Sequence, residues 1–276
     1  MVKYTYWKPQ DREGKTMEKY FSIPQDGFEL PMKVTEPDFG SISRCILGVH
    51  GFCGHKGSEV LQSISEEMGL FGAVTVCFDL PCHGENPMTE KDLSLNNCEM
   101  ALLTAAQWAR DTYPDVPMCL FATGFGAFIT VLCLDGLHTI LGDDLRLVMQ
   151  TPDFRMADSL LSMKNMTEEA FLRQGRVLVG RISDRKVEVG FRFYEQLKMA
   201  TTYADFGMPM LLIHGECDEV VKLEDVKHFR RLNEQAKLVI IPGADHQFRG
   251  EGQWDMVVDL TRDWFEFQQV NLCDYE

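Results

Sequence analysis

Short, almost uninterrupted apolar runs alternate with stretches of helical spacing along most of this chain. Arg44–Val49, Ala73–Phe78, Met118–Ala122, Leu145–Gln150, Met208–His214 and Ala236–Ile241 are runs of the first kind. That pattern belongs to strands buried on both faces. Between them, Ser58–Gly69 carries Val60, Leu61, Ile64 and Met68 on one side, which predicts a helix. Asn97–Tyr113 predicts an amphipathic helix ended by Pro114 and Pro117, and Phe125–Leu134 predicts a helix packed under the strand before it. Val226–Leu232 and Trp254–Phe267 predict two more. Residues 17–35 alternate polar and apolar about Pro24-Gln25-Asp26-Gly27, as two antiparallel strands around a turn would. Strands that alternate with helices form βαβ units, so the class is α/β with a mostly parallel sheet.

Residues 155–205 break this rhythm. They carry Met, Leu and Lys patterns and then two alternating runs, Arg176–Gly180 and Val187–Phe193, on either side of Arg181–Lys186. The runs predict a hairpin. An insert here is most simply a cap over a site at the sheet's edge, so the expected core is 1–154 with 206–276 and the expected cap is 155–205. No internal repeat or low-complexity tract interrupts either part.

Composition narrows the function classes. The chain has 276 residues, 45% of them hydrophobic, and a formal charge of −15. Nucleic acids and anionic membranes recruit basic patches, so neither is an expected partner. Nine cysteines without a CxxC pair argue against a disulfide framework and for a reducing compartment. The first residues, Met1-Val2-Lys3-Tyr4-Thr5-Tyr6-Trp7, show no apolar export signal, and no apolar run is long enough to span a bilayer. A cytoplasmic protein is expected.

Chemistry concentrates in four places. Phe121-Ala122-Thr123-Gly124-Phe125-Gly126-Ala127 has the shape of a G-x-S-x-G nucleophile elbow, a strained strand-to-helix turn. The turn residue is Gly124, so the hydroxyl is missing. His214-Gly215-Glu216-Cys217-Asp218 follows a strand and puts Asp218 at the edge where parallel sheets build sites; a lone Asp there is ordinarily a turn residue. Pro242-Gly243-Ala244-Asp245-His246 follows the last strand; a lone loop His is ordinarily a solvated side chain. Together the order elbow, Asp, His matches a hydrolase triad, in which Asp218 orients His246 and stabilises its cation. His50-Gly51-Phe52-Cys53-Gly54 follows another buried strand. An acyl-transfer oxyanion needs two backbone N–H donors, and Phe52 and Phe125 are the candidates. Cys53 is the thiol best placed to line such a pocket, with bystander packing its simpler role.

With Asp79-Leu80-Pro81-Cys82-His83-Gly84-Glu85 added, these motifs resemble the α/β-hydrolase superfamily over nearly the whole chain. The resemblance is nearest to bacterial cinnamoyl/feruloyl esterases and monoacylglycerol-lipase-like esterases. It implies an eight-stranded, mostly parallel sheet flanked by helices, with a small cap. It also implies Asp218 as triad acid, His246 as base, Phe52 and Phe125 as oxyanion hole, and Gly124 at the vacant nucleophile position. Cys82, where many relatives have Gly, is a milder departure. The implied substrate is a carboxylic ester or thioester with an apolar acyl part, suggested by the aromatic cap residues Phe171, Phe191, Phe193, Tyr194 and Met199. Phe193, with Phe52 and Phe125, is expected to touch substrate. No cofactor or metal is expected, for no HExxH-like ligand spacing occurs.

Without the hydroxyl no acyl-enzyme forms. Loss of the nucleophile costs about 10⁶ in kcat in a serine protease, with about 10³–10⁴ over water remaining. The chain is therefore expected to be inactive or nearly so by that route. A water activated by His246 in the serine's space is a further possibility. Gly124 is either an introduced change or a natural loss, and the N-myc downstream-regulated family keeps this fold without the serine. The alternative from another class is a non-catalytic ligand-binding or scaffold protein.

Overall fold

The computed structural model describes residues 16–38, 40–182 and 185–267. Cys273 and residues 1–7, where no export signal is expected, lie outside them. β1 (Thr16–Gln25) and β2 (Phe28–Pro37) form the expected hairpin. Its two turn residues, Asp26 and Gly27, have φ of 41° and 82°, the turn hand that suits twisted strands. β2 runs antiparallel to β4 (Ala73–Phe78). From β4 onward neighbours are parallel: β3 (Arg44–Val49), β5 (Met118–Thr123), β6 (Arg146–Gln150), β9 (Met210–Gly215) and β10 (Ala236–Ile241). The sheet has eight strands in the order β1-β2-β4-β3-β5-β6-β9-β10.

The strands bury both faces, which explains their unbroken apolar runs. In β5, Met118, Leu120 and Ala122 join one apolar core while Cys119 and Phe121 join the other. The second core is closed by α1 (Glu59–Gly69) and α9 (Gln253–Phe267). The first is closed by α2 (Leu95–Thr112), α3 (Phe125–Leu132), α4 (Leu134–Leu141) and α8 (Leu223–Leu232). Crossovers of one hand join the parallel strands, so the C-terminal ends of β3, β4, β5, β6, β9 and β10 come out on one edge.

Between β6 and β9 the chain leaves the sheet. It forms α5 (Met156–Met163), α6 (Glu168–Gln174), the antiparallel pair β7 (Arg176–Ile182) and β8 (Arg185–Gly190), and α7 (Phe191–Met199). The hairpin falls where alternation predicts it. Three boundaries differ from the sequence pattern. α2 begins at Leu95, because the Ser94 hydroxyl accepts the Asn97 N–H at 3.2 Å and caps it. The helix expected over 125–134 breaks at Cys133, where φ is −102° and ψ 3°, and α4 follows as a separate element. Phe191-Arg192-Phe193 alternates like a strand but opens α7, since Phe193, Tyr194 and Leu197 together fill one buried helical stripe.

Candidate active site

Local sequence sets each site residue at the C-terminal edge of the sheet. Gly124 ends β5 and caps α3 with φ 50° and ψ −114°, the region where glycine alone is unstrained. Its N–H donates to the Gln150 carbonyl at 3.1 Å. A Cβ at Gly124 would meet nothing nearer than the Gly51 Cα at 3.9 Å. Gly126 differs. A Cβ there would lie 2.6 Å from the carbonyl oxygens of both Val49 and His50, so its glycine lets α3 pass directly over the end of β3.

The structure brings Asp218 and His246 together. The His246 Nδ1–H donates to Asp218 Oδ2 at 2.8 Å, and the N–H groups of Val220 and Val221 donate to Asp218 Oδ1, each at 2.8 Å. Burial alone would raise the Asp218 carboxyl. The bond and charge of His246 and the two N–H groups outweigh burial and leave it below its ordinary value. For His246 burial pulls downward, but the bond and charge of Asp218 win and hold the imidazole above its ordinary value. A second imidazole, His214, lies fully buried with Nε2 3.7 Å from Asp218 Oδ2. Burial lowers its proton affinity, so it is a neutral neighbour whose N–H donates to the Val221 carbonyl at 3.2 Å.

The Phe52 loop is braced from below. His50, fully buried, donates from Nδ1 to the Gly51 carbonyl at 2.8 Å and accepts the Leu80 N–H at Nε2 at 3.0 Å. Burial keeps it neutral, so this His is a strut rather than a base. Lys56 Nζ reaches Asp79 at 2.7 Å and Glu85 at 2.5 Å, and Asp79 also accepts the N–H groups of Lys56 and Glu85. Cys82 in this second loop holds φ 71°, a backbone state that favours glycine.

A cavity of about 770 Å³ opens at this edge. Gly124, His246, Phe52, Phe125, Cys53 and Asp153 all line it, and Met156, Met163 and Val179 supply its wall from the insertion. The Phe52 and Phe125 rings meet edge to face at 5.0 Å. Phe125 is the first residue of α3, so its N–H is one of the four without a partner inside the helix. Phe193 does not line the cavity. It is buried and packs edge to face on Phe125 at 6.1 Å, behind the wall. Cys53 touches the cavity, but burial pushes its thiol up to about 11, a poor setting for a nucleophile. Cys119 is enclosed in the core and also pushed up to about 11.

Sequence reasoning missed Asp153. It follows β6, is 4% exposed, and accepts the Arg155 N–H at 3.0 Å. Burial pushes its carboxyl up to about 6. The only sequence signal was an acid three residues past a strand's C-terminal end. The assembly as a whole offers a base paired with a carboxylate, an open turn beside it, a second acid, and a largely apolar wall.

No protein-family model matches the chain, and no curated protein sequence matches it. Solved structures do. Est1E from Butyrivibrio proteoclasticus, with ferulic acid bound, is 18% identical over 90% of this chain and 98% of that one, with a TM-score of 0.72. A soluble variant of monoglyceride lipase from Saccharomyces cerevisiae, in complex with a substrate analogue, is 14% identical over 95% and 99%, with a TM-score of 0.73. Mouse alpha/beta hydrolase domain-containing protein 10 is 11% identical over 91% and 100%, with a TM-score of 0.70. The sheet order, the turn at Gly124 and these likenesses agree: this chain has the α/β-hydrolase fold.

Proposed function

We propose that this chain binds a carboxylic ester or thioester with an apolar acyl part at a serine-hydrolase site whose nucleophile position, Gly124, is vacant, and that it forms no acyl-enzyme. The observation that carries this is the 2.8 Å bond between His246 and Asp218 in the same cavity as Gly124, whose dihedral angles are those of an elbow. Asp218 serves as the triad acid and His246 as the base. The N–H groups of Phe52 and Phe125 hold the carbonyl oxygen, since donors preset toward developing charge are the largest contribution in such sites. The apolar wall favours an apolar acyl group, and the cavity volume suits a small-molecule ester. Esterase and lipase likenesses, one with ferulic acid and one with a substrate analogue bound, support that substrate class. Residues 155–205 act as the cap, with 1–154 and 206–276 as the core. The charge of −15 supports a small-molecule partner over a nucleic acid. No helix among the described residues is long and apolar enough to cross a membrane, which fits the proposed cytoplasmic setting.

Replacing Gly124 by Ser tests the reading, because the missing Cβ has room. Gly124→Ser should react with a fluorophosphonate probe and hydrolyse p-nitrophenyl and cinnamoyl esters with a burst, while the present chain takes no label and shows no burst. A folded Gly124→Ser protein that is unlabelled and inactive across acyl lengths refutes the esterase-type site.

A further inference from the structure

Asp153 has no part in the triad, yet it occupies the same cavity as Gly124 and His246. It follows β6, the strand beside β5, and the paired ends Thr123 and Gln150 set the two loops side by side. Its surroundings come from several elements. The Arg155 N–H and the Ser159 hydroxyl at the start of α5 donate to it, the His246 charge acts on it from the loop after β10, and Asp225 adds negative charge from α8. The hydroxyl of Tyr203 and the guanidinium of Arg155 lie in the same neighbourhood, where Arg155 also pairs with Asp158. His246 itself bonds Asp218 and feels the charges of Glu219 and Asp153, with His214 also nearby.

A carboxyl kept merely to end a strand has no need of a nearly water-free site. Burial outweighs both hydrogen bonds here, so Asp153 gains its proton at about 6 while His246 keeps its own above the ordinary imidazole value. Two cavity groups therefore exchange protons over adjoining pH ranges. Environments that set such a pair assign acid and base roles. At Gly124 the space a nucleophile would fill is open.

We propose that Asp153 and His246 form an acid–base pair that hydrolyses a bound ester by direct attack of water in the space left open at Gly124. This rests on the ester-binding reading above. The Asp153 carboxylate takes a proton from water as the water oxygen bonds to the ester carbonyl carbon. The carbonyl π electrons move onto its oxygen, held by the Phe52 and Phe125 N–H groups. They return as the bond to the leaving oxygen breaks, and that oxygen takes a proton from the His246 imidazolium. Asp153 then passes its proton to His246 and both are restored. Ester and water become acid and alcohol, with no covalent enzyme species.

The active form has Asp153 ionised and His246 protonated. Activity rises as the pH passes about 6, where Asp153 loses its proton. It falls again as His246 loses its proton, above its ordinary value.

Initial rates across pH on alkyl and p-nitrophenyl esters of one acid, with chain folding checked by melting, test the pair. The unaltered chain should turn over without a burst and with a bell-shaped profile. Asp153→Asn, which keeps an acceptor for the Arg155 N–H, should lose the ascending limb and about 10²–10⁴-fold in rate. Ser159→Ala removes a hydrogen bond to the carboxylate and should move the ascending limb to higher pH. His246→Gln should slow the alkyl ester more than the p-nitrophenyl ester, whose leaving group needs no proton. An ascending limb kept in Asp153→Asn and unmoved in Ser159→Ala overturns the pair. So does an unaltered chain that turns over no ester that Gly124→Ser hydrolyses. A Gly124→Ser protein that neither labels nor hydrolyses removes the ester-binding reading instead.

Discussion

At the scale of single residues, the site is built from groups whose positions cost stability. A serine at Gly124 would adopt φ near 50°, a state that costs a non-glycine residue about 1–3 kcal/mol. Gly124→Ser should therefore lower the unfolding free energy by that amount in denaturant titrations even as it gains reactivity. Asp153 shows the same trade in its ionisation. Its folded proton affinity, at about 6, exceeds that of an unfolded aspartate near 3.9. Below about pH 3 both states are protonated and Asp153 costs nothing. As the pH rises toward 6 the unfolded chain ionises first, and stability falls by about 3 kcal/mol before levelling off. Asp153→Asn should thus melt higher than the unaltered chain at neutral pH, with the gain disappearing in mild acid; an equal gain at all pH values would refute the buried charge as its cause. The His246–Asp218 bond works in the opposite sense. Its contribution is full between the unfolded carboxylate and imidazole values, and it is lost as His246 deprotonates above or Asp218 protonates below. Asp218 and His246 were legible because each follows a predicted strand in a recognisable order. Asp153 was not, because α8 and the His246 loop, which complete its environment beside α5, lie far from it along the chain.

At the scale of elements, the Phe52 loop is fixed by a buried ion pair. Lys56 is 6% exposed and Asp79 fully buried. Removing one partner of such a pair costs about 3–5 kcal/mol, because the other charge stays behind. Asp79→Asn should destabilise by that order in denaturant titrations, and in a Gly124→Ser background it should lower kcat more than it raises KM, since the loop carries the Phe52 N–H proposed as an oxyanion donor. Strands were read nearly residue for residue, because burial on both faces leaves an unbroken apolar run with sharp ends. Helices were read less well. Leu134, Leu137 and Leu141 carry a helical stripe, but the break at Cys133 follows from α4 packing on α2, a contact invisible along the chain. Phe191-Arg192-Phe193 fits either period over three residues, and packing of Phe193 against Phe125 decides it. The same packing puts Phe193 behind the cavity wall, so an aromatic residue in the insertion was not by itself a sign of substrate contact.

At the scale of the molecule, net charge acts on whatever the cavity holds. A charge of −15 surrounds the site with a negative field that salt screens over about 8–10 Å at moderate ionic strength. A neutral ester is indifferent to that field, and a carboxylate is not. Titrations at low and moderate salt should show affinity for the free acid increasing with salt while affinity for the uncharged ester stays constant. A carboxylate whose binding weakens with salt would mean that the His246 charge dominates the field.

Gly124 and Gly126 lie two positions apart and have opposite tolerances. One has open space where a side chain would begin, and the other has two carbonyl oxygens at 2.6 Å. In evolutionary terms the first is a position a lineage can cross in either direction, since many glycine codons become serine codons by a single base change and the backbone already holds the required turn. The second is closed to nearly every substitution, because the path of α3 over the end of β3 depends on it. Catalytic identity on this scaffold is thus the cheaper trait to exchange, and the architecture beneath it is the one that selection must hold still.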